Sequence, residues 1–399
     1  MLIKNLKVSG ILSFGPQGID LPMRPLNVLI GPNGSGKSNF LEILSLIREI
    51  PKNIEQPIMQ NGGIREWLWK SAERETINEF PMVAQIGIVL ESVQAGEKRG
   101  IRHILEFTRN KENFHLLEEV IEWEEPHQRN NVNWWYKRVG NGPAQLLEKD
   151  LQSGEWKHRT IDRNKLDSGA SILSQMKDPD RLVVFDLFEK SYRNIELHRD
   201  WSFGPSASIR LPQKADDRSD TLGLRGNNLA NVLGVLPLVM KRRLEKELGE
   251  IYEGITGINL VTTGGNIQLF LEEEGGREIS ALRISDGTLR YLSLLAILTN
   301  ANSSLIAIEE PELGLHPDVI PHVAELLIEA SKRTQLVITT HSRMLVDMLS
   351  DQPESVIVCS KENGETRMER LNAEDLKEWL ERYSLGELWS KGEIGGNRW

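Results

Sequence analysis

Eight residues, GPNGSGKS at 31–38, have the types and spacing to hold a polyphosphate. Glycines at 31, 34 and 36 let successive backbone N–H groups turn inward, where they form a concavity for an anion. Lys37 follows with an ammonium long enough to reach the outer phosphates, and Ser38 with a hydroxyl able to ligate Mg²⁺. The pattern G-x-x-x-x-G-K-[ST] is complete. The apolar run LNVLI before it and SNFLEILSLIREI after it supply the strand and helix that it needs. The helix N-terminus adds the positive end of its dipole. The expected ligands are ATP and Mg²⁺, with Gly31, Pro32, Asn33, Gly34, Ser35, Gly36, Lys37, Ser38 and Asn39 around the nucleotide.

A second group of chemically capable residues lies far along the chain. LIAIEEPELGLHP at 305–317 is an apolar strand that ends in two acids, and a strand's carboxyl end is where open α/β sheets bind ligands. Glu309 is expected to hold the metal, directly or through water. Glu310 is expected to orient and polarise the attacking water as general base, a role worth about 10²–10⁴ in rate. LVITTHS at 336–342 repeats the pattern, and its His341 is expected at the γ-phosphate.

These residues need a sheet to bring them together. MLIKNLKV, GIDLP and LNVLI read as short strands, and residues 81–140 as an antiparallel β section broken by polar turns. From about 170 to 250 the pattern is helical, and beyond 255 strands and amphipathic helices alternate. The expected fold class is α/β, a P-loop nucleotide-binding fold with a mostly parallel sheet, plus an antiparallel β section and a helical insertion. Residues 1–125 and 255–399 would form one discontinuous head, and 126–254 a β-hairpin and helical insertion. There is no internal repeat and no sustained heptad pattern.

Composition narrows the setting. The chain has 399 residues and a net charge of −10, which argues against coating nucleic acid by bulk electrostatics. No apolar run approaches the roughly 20 residues that span a bilayer, and no signal peptide is read at the N-terminus. The single cysteine, Cys359, sits in the apolar run SVIVCS and reads as a reduced core thiol. A cytoplasmic protein without a membrane partner is expected.

Together the motifs resemble those of the ATP-binding cassette (ABC-type) ATPases, and among them the soluble SMC/RecF-like branch. The resemblance covers about 1–50 and 280–345 closely and the insertion hardly at all. In that family a signature motif, usually leucine-serine-glycine-glycine-glutamine, lies about 20 residues before the strand carrying the acids. Here ISDGT ends at Thr288, and Glu309 follows 21 positions later. The resemblance implies that a signature of Ser285, Asp286, Gly287 and Thr288 binds ATP held by a second subunit, with Ser285 and Gly287 at its γ-phosphate, so that two nucleotides are sandwiched in a homodimer. Asp286 stands where the family has its first signature glycine, and must either point away from phosphate or cap the helix. His316 in GLHP stands where the family's partner-contacting loop has an aspartate. Glu312 makes the run EEPE, which resembles the overcoming-lysogenisation-defect ATPases, and the C-terminal SLGELWSKGEIGGNRW resembles small bacterial predicted AAA-family ATPases. A glutamine loop is also implied; Gln175 fits its position best, with Gln85 as a rival and a surface glutamine as the plain alternative to both.

The resemblance implies an ATP-hydrolysing dimeric switch in DNA repair and maintenance or in antiviral (anti-phage) defence, acting with a separate effector that a nuclease would satisfy. Two other readings compete: the nucleotide-binding subunit of a membrane transporter, and an ATP-binding scaffold without significant turnover. The 248 positions from Ser38 to Asp286 contain strands and short helices, which excludes a long coiled-coil arm. Only 58 residues follow His341, too few for a nuclease domain. Nucleic acid is a further partner to consider, because 126–170 holds eight Lys/Arg (129, 137, 138, 149, 157, 159, 163, 165) interleaved with Trp134, Trp135, Tyr136 and Trp156. Those aromatics would either stack bases or pair across strands.

Overall fold

The computed structural model describes residues 3–70, 82–94, 97–125, 133–140, 142–223, 225–299 and 303–396. Its centre is a six-stranded sheet in the order Ile195–His198, Leu305–Glu309, Gln335–Thr339, Leu26–Ile30, Val356–Glu362, Glu365–Arg370. Every neighbouring pair is parallel except the last, which closes as an antiparallel hairpin. LNVLI and QLVIT are buried at every position because both faces of this sheet are covered. Alternation along each strand divides the core. Leu29, Leu305, Ala307 and Val337 face one layer, while Val28, Ile30, Ile306, Ile308, Leu336 and Ile338 face the other.

The first layer holds the P-loop helix Lys37–Glu49, which buries Phe40, Leu41, Ile43, Leu44, Leu46 and Ile47 on an i, i+3, i+4 stripe. Above it lies an eight-stranded antiparallel sheet in the order Ile19–Pro22, Ile3–Ser9, Ala84–Gln94, Glu97–Asn110, Asn113–Trp123, Trp134–Val139, Ala144–Lys149, Trp156–Ile161. The second layer is helical: Leu238–Ile251, Asp286–Thr299 and Ile320–Ser331 pack on the opposite face. A small antiparallel sheet of Gln213–Lys214, Ile255–Thr263, Asn266–Glu273 and Arg277–Ser280 borders them. Cys359 is fully buried, and burial pushes its thiol up to about 12.

Three features differ from the sequence expectation. The strand Ile195–His198 lies inside the expected insertion, yet it pairs in parallel with Leu305–Glu309 and belongs to the central sheet. Its four residues, IELH, are too few to stand out between a helix and a polar loop. The antiparallel sheet runs from residue 3 through 161, across the expected boundary at 125, because its strands continue one meander. Residues 255–280 form antiparallel strands rather than strand–helix alternation. Gly264 and Gly265, both at positive φ (58° and 77°), form the tight turn between the longest two.

Candidate nucleotide and metal site

Register in the parallel sheet assembles the site. Leu29 is opposite Thr339, and Thr339 is opposite Glu309, so the chain segments after all three leave the sheet along one edge. The loop 31–36 follows the first, Glu310 the second and His341 the third. Residues separated by more than 270 positions therefore meet without any long side chain having to reach.

The P-loop needs its glycines for two physical reasons. Gly31, Gly34 and Gly36 all have positive φ, at 144°, 78° and 102°. A Cβ on Gly31 would run into the Cys359 carbonyl, and one on Gly36 into the Thr366 hydroxyl, so the C-terminal hairpin packs directly beneath the loop. A Cβ on Gly34 would meet nothing within 4 Å, which leaves the loop's outer side open. Lys37 donates from Nζ to Gly31 O at 2.7 Å and to Pro32 O at 3.1 Å. Burial pushes its ammonium below the ordinary lysine value. Asn39 donates instead to Ser13 Oγ at 2.7 Å, and Thr366 Oγ1 joins the same hydroxyl at 2.7 Å. The side chain of Asn39 thus ties the P-loop helix to the loop after the first strand.

Ser38 donates from Oγ to Glu309 Oε1 at 2.6 Å. Two hard oxygen donors converge there, the donor type that Mg²⁺ takes, beside the glycine-rich loop. Those residues fit Mg²⁺ and a polyphosphate. Glu310 follows in a left-handed conformation, φ 46°, which a non-glycine residue rarely adopts. Its amide donates to Thr339 O at 3.0 Å, fixing the turn. His341 Nε2 lies 3.7 Å from Glu310 Oε1. Burial, with Lys37 nearby, holds the imidazole below its ordinary value, against the opposing pull of Glu310 and Glu312. Glu312 links the two loops, its Oε1 accepting from Thr340 Oγ1 at 2.7 Å and from the His341 amide at 2.9 Å.

The stretch 285–288 opens the helix Asp286–Thr299. Ser285 Oγ accepts from the Thr288 amide at 3.1 Å, so Ser285 is the cap and Asp286 is not. Asp286 instead pairs with Arg210, whose side chain is 5% exposed while that of Asp286 is 63% exposed. The acid's charge is thereby offset where the resemblance puts a glycine. A Cβ on Gly287 would stand 3.1 Å from Gly314 O, so the loop after the acids passes close over the helix start. Ser285 Oγ and Thr288 Oγ1 also share a hydrogen bond at 2.7 Å, and Thr288 is a side-chain hydrogen-bond partner of Tyr252.

Gln175 is turned toward its own loop: it accepts from the Asp167 amide at 2.7 Å and donates to Ala170 O at 2.8 Å. Gln85 donates to Glu106 Oε1 at 2.7 Å across two strands. The aromatics of the insertion pair across strands, Trp156 meeting Trp135 edge-on at 4.8 Å. Lys157 and Arg159 lie against Asp150 and Glu148 at 2.5 and 3.4 Å, and Arg138 donates to Asp167 O at 3.1 Å. Arg129 lies outside the described residues.

Sequence reading missed four residues. Arg199 donates from Nε to Glu309 Oε2 at 2.9 Å and from Nη1 to Glu42 Oε1 at 2.6 Å. Trp201 Nε1 donates to Glu309 O at 3.2 Å. Arg210 pairs with Asp286. Arg290, 5% exposed in an otherwise apolar helix, donates to Glu310 O and lies 4.9 Å from the Trp201 ring centroid. A buried arginine among leucines was a readable signal, since such a residue is almost never buried unpaired. Arg199 and Trp201 sit in a loop without a pattern, and Arg210 ends the 3₁₀ turn Ser208–Arg210.

A family model described as "AAA domain, putative AbiEii toxin, Type IV TA system" matches residues 26–126 and 143–347. The chain is similar to a solved structure of an SMC head bound to the C-winged-helix domain of ScpA, with TM-score 0.56 and 16% identity over 94% of this chain and 99% of that one. It is also similar to an SMC head with an extended coiled coil from Pyrococcus furiosus, bound to the C-terminal domain of ScpA, with TM-score 0.53 and 14% identity over 95% and 98%. At such identities the likeness is one of fold: a P-loop NTPase head. ABC transporter A family members 9 and 11 of Arabidopsis thaliana are each 26% identical over 132 residues, 32% of this chain. The match spans 14% of the length of those curated relatives. No helix among the described residues is long and apolar enough to cross a membrane.

Proposed function

Because the chain belongs to the family of AAA domains described as putative AbiEii toxins of Type IV toxin–antitoxin systems, we propose that it binds and hydrolyses ATP at a site completed by a second copy of itself. The single observation that carries the proposal is the 2.6 Å bond from the P-loop Ser38 to Glu309, with Glu310 and His341 next to it. When bound, Mg²⁺ would neutralise charge on the outer phosphate oxygens, with Ser38 and Glu309 as its protein ligands. Lys37 would turn from the Gly31 and Pro32 carbonyls to those oxygens. Glu310 would accept the proton of the attacking water, its carboxylate aimed by the constrained turn. His341, its imidazole kept neutral by burial and Lys37, would hydrogen-bond to the terminal phosphate or to that water.

Ser285, Gly287 and Thr288 would serve the nucleotide of the other copy. Their helix start supports this reading: an N-terminus is a ready anion site, and Arg210 offsets the one acid there. The result is a C2 sandwich with two nucleotides. We place this switch in anti-phage defence or DNA maintenance, with a separate effector. The family description names a putative toxin of a Type IV toxin–antitoxin system, and the SMC heads, solved with ScpA bound, support a protein partner. The transporter reading draws on the two plant relatives, but their match is confined to a third of the chain.

Sedimentation with ATP tests the proposal. Glu310→Gln should accumulate an ATP-bound dimer, Lys37→Ala should lose nucleotide, and Ser285→Arg should bind ATP yet stay monomeric. A wild-type chain that hydrolyses ATP at full specific rate as a dilute monomer ends the composite-site reading.

A further inference from the structure

Glu309 is held at three points. Its Oε1 accepts from Ser38, its Oε2 from Arg199 Nε at 2.9 Å, and its backbone carbonyl from Trp201 Nε1 at 3.2 Å. Arg199 reaches it from just beyond the strand Ile195–His198, whose His198 is in register with Ile308. The other end of the guanidinium is anchored by Glu42 at 2.6 Å. Glu42 lies one helical turn after Ser38, on the same face of the P-loop helix. One planar cation therefore fixes the distance between the helix that carries the hydroxyl ligand and the strand that carries the carboxylate ligand. Its side chain is 24% exposed, so water competes for it only partly.

A metal-ligating carboxylate that uses one oxygen needs its other oxygen held, or it rotates away; loss of such a partner typically costs about 10–100-fold in metal affinity or activity. We propose that Arg199 is a positioning residue for the metal: it holds Oε2 of Glu309 so that Oε1 faces the same point as Ser38 Oγ. This rests on the reading of Ser38 and Glu309 as Mg²⁺ ligands. Arginine rather than lysine is required, because the guanidinium binds two acids at once from a fixed fork. The coupling also ties the geometry of the metal ligands to residues 199–210, which carry Arg210 and so lead to Asp286.

The test is binding of a fluorescent ATP analogue, titrated in EDTA and then against Mg²⁺, with Mn²⁺ binding to the ADP complex followed by paramagnetic resonance. Arg199→Ala should keep the EDTA affinity and raise the half-saturating Mg²⁺ and Mn²⁺ concentrations about 10–100-fold. Arg199→Lys should recover part of that loss, and Glu42→Gln should produce a smaller rise. A purely structural ion pair would instead lower the melting temperature and weaken binding in EDTA and Mg²⁺ alike, which overturns the proposal. An unchanged metal dependence in folded Arg199→Ala also overturns it; should that variant not fold, an unchanged dependence in both Arg199→Lys and Glu42→Gln does the same. Wild-type protein whose nucleotide binding ignores Mg²⁺ would sink the metal-ligand reading itself, an outcome separable from failure of Arg199 alone.

Discussion

Arg290 donates from Nη2 to the backbone carbonyl of Glu310 at 2.5 Å, joining the helix that Ser285 opens to the turn that carries the proposed general base. The guanidinium also donates to Pro311 O at 3.3 Å and stacks near Trp201, while burial pulls it down to about 10. This contact gives a displacement of the helix start a direct route to the Glu310 turn, beside the close approach of Gly287 to Gly314 O. The two motifs are thus coupled within one chain, whatever a second copy adds.

Arg290→Met keeps the bulk and removes the donors. ATP binding should stay within a factor of two of wild type, since Arg290 touches neither the P-loop nor the metal ligands. Hydrolysis should fall about 100-fold, the cost of a reacting group misplaced by about 1 Å. Single-turnover kinetics with saturating ATP checks this; an unchanged rate removes Arg290 from the catalytic geometry.

Glu310 offers a direct measure of stored strain. At φ 46° a glycine is at ease and an alanine is not. Glu310→Gly and Glu310→Ala both lose the carboxylate and should both lose hydrolysis, yet the glycine variant should be more stable by about 1 kcal/mol in urea unfolding. Equal stabilities would mean that the turn relaxes when its side chain is removed.

Much of this site could be read from the chain because the parallel sheet converts sequence position into spatial position. Once LNVLI, LIAIE and QLVIT are recognised as adjacent strands, Ser38, Glu309, Glu310 and His341 must emerge on one edge. What could not be read lies where no period exists. Arg199 and Trp201 follow a four-residue strand, and Arg210 ends a 3₁₀ turn of three residues, Ser208–Arg210. The role of Asp286 was undecidable without Arg210, because capping and ion pairing call for the same residue type.

Arg210 and Asp286 should behave unequally. Arg210 donates to the carbonyls of Phe203, Ala281 and Ile284 at 2.7, 2.9 and 2.6 Å, so Arg210→Met strands buried acceptors and should cost about 3 kcal/mol. Asp286→Asn keeps an acceptor for Arg210 and neutralises a side chain that is 63% exposed, so it should change stability by less than about 1 kcal/mol. Equilibrium urea titrations of the two variants decide it; a costly Asp286→Asn would place the pair, not the carbonyls, at the centre of the loop's stability.

His341 predicts the direction of a pH effect. Its folded-state value lies below the ordinary one because burial and Lys37 disfavour the charged ring. The unfolded chain therefore binds the proton first, and stability should fall as pH drops from about 6.5 toward the depressed value, while staying flat above. His341→Gln should flatten that part of the profile. Hydrolysis should fall only at lower pH, where the folded ring itself takes the proton, since a charged ring facing Lys37 misaligns the proposed contact. A stability profile that rises on acidification through this range contradicts the burial argument.

The sharpest prediction concerns ownership of the site. Lys37→Ala destroys a P-loop but leaves Ser285 and Gly287 intact; Ser285→Ala leaves the P-loop intact and removes the hydroxyl, at an N-cap cost of about 1 kcal/mol. Each variant alone should be nearly inactive. Mixed in equal amounts, half of the dimers should be mixed, and each of those would hold one complete site out of two. Recovery should approach about one quarter of the wild-type rate and should vanish on dilution below the dimer's dissociation constant. If each chain held a complete site of its own, mixing would give only the average of two failing preparations. A steady-state assay across mixing ratios separates the two, because complementation follows a parabola in the fraction of one variant and its absence a straight line.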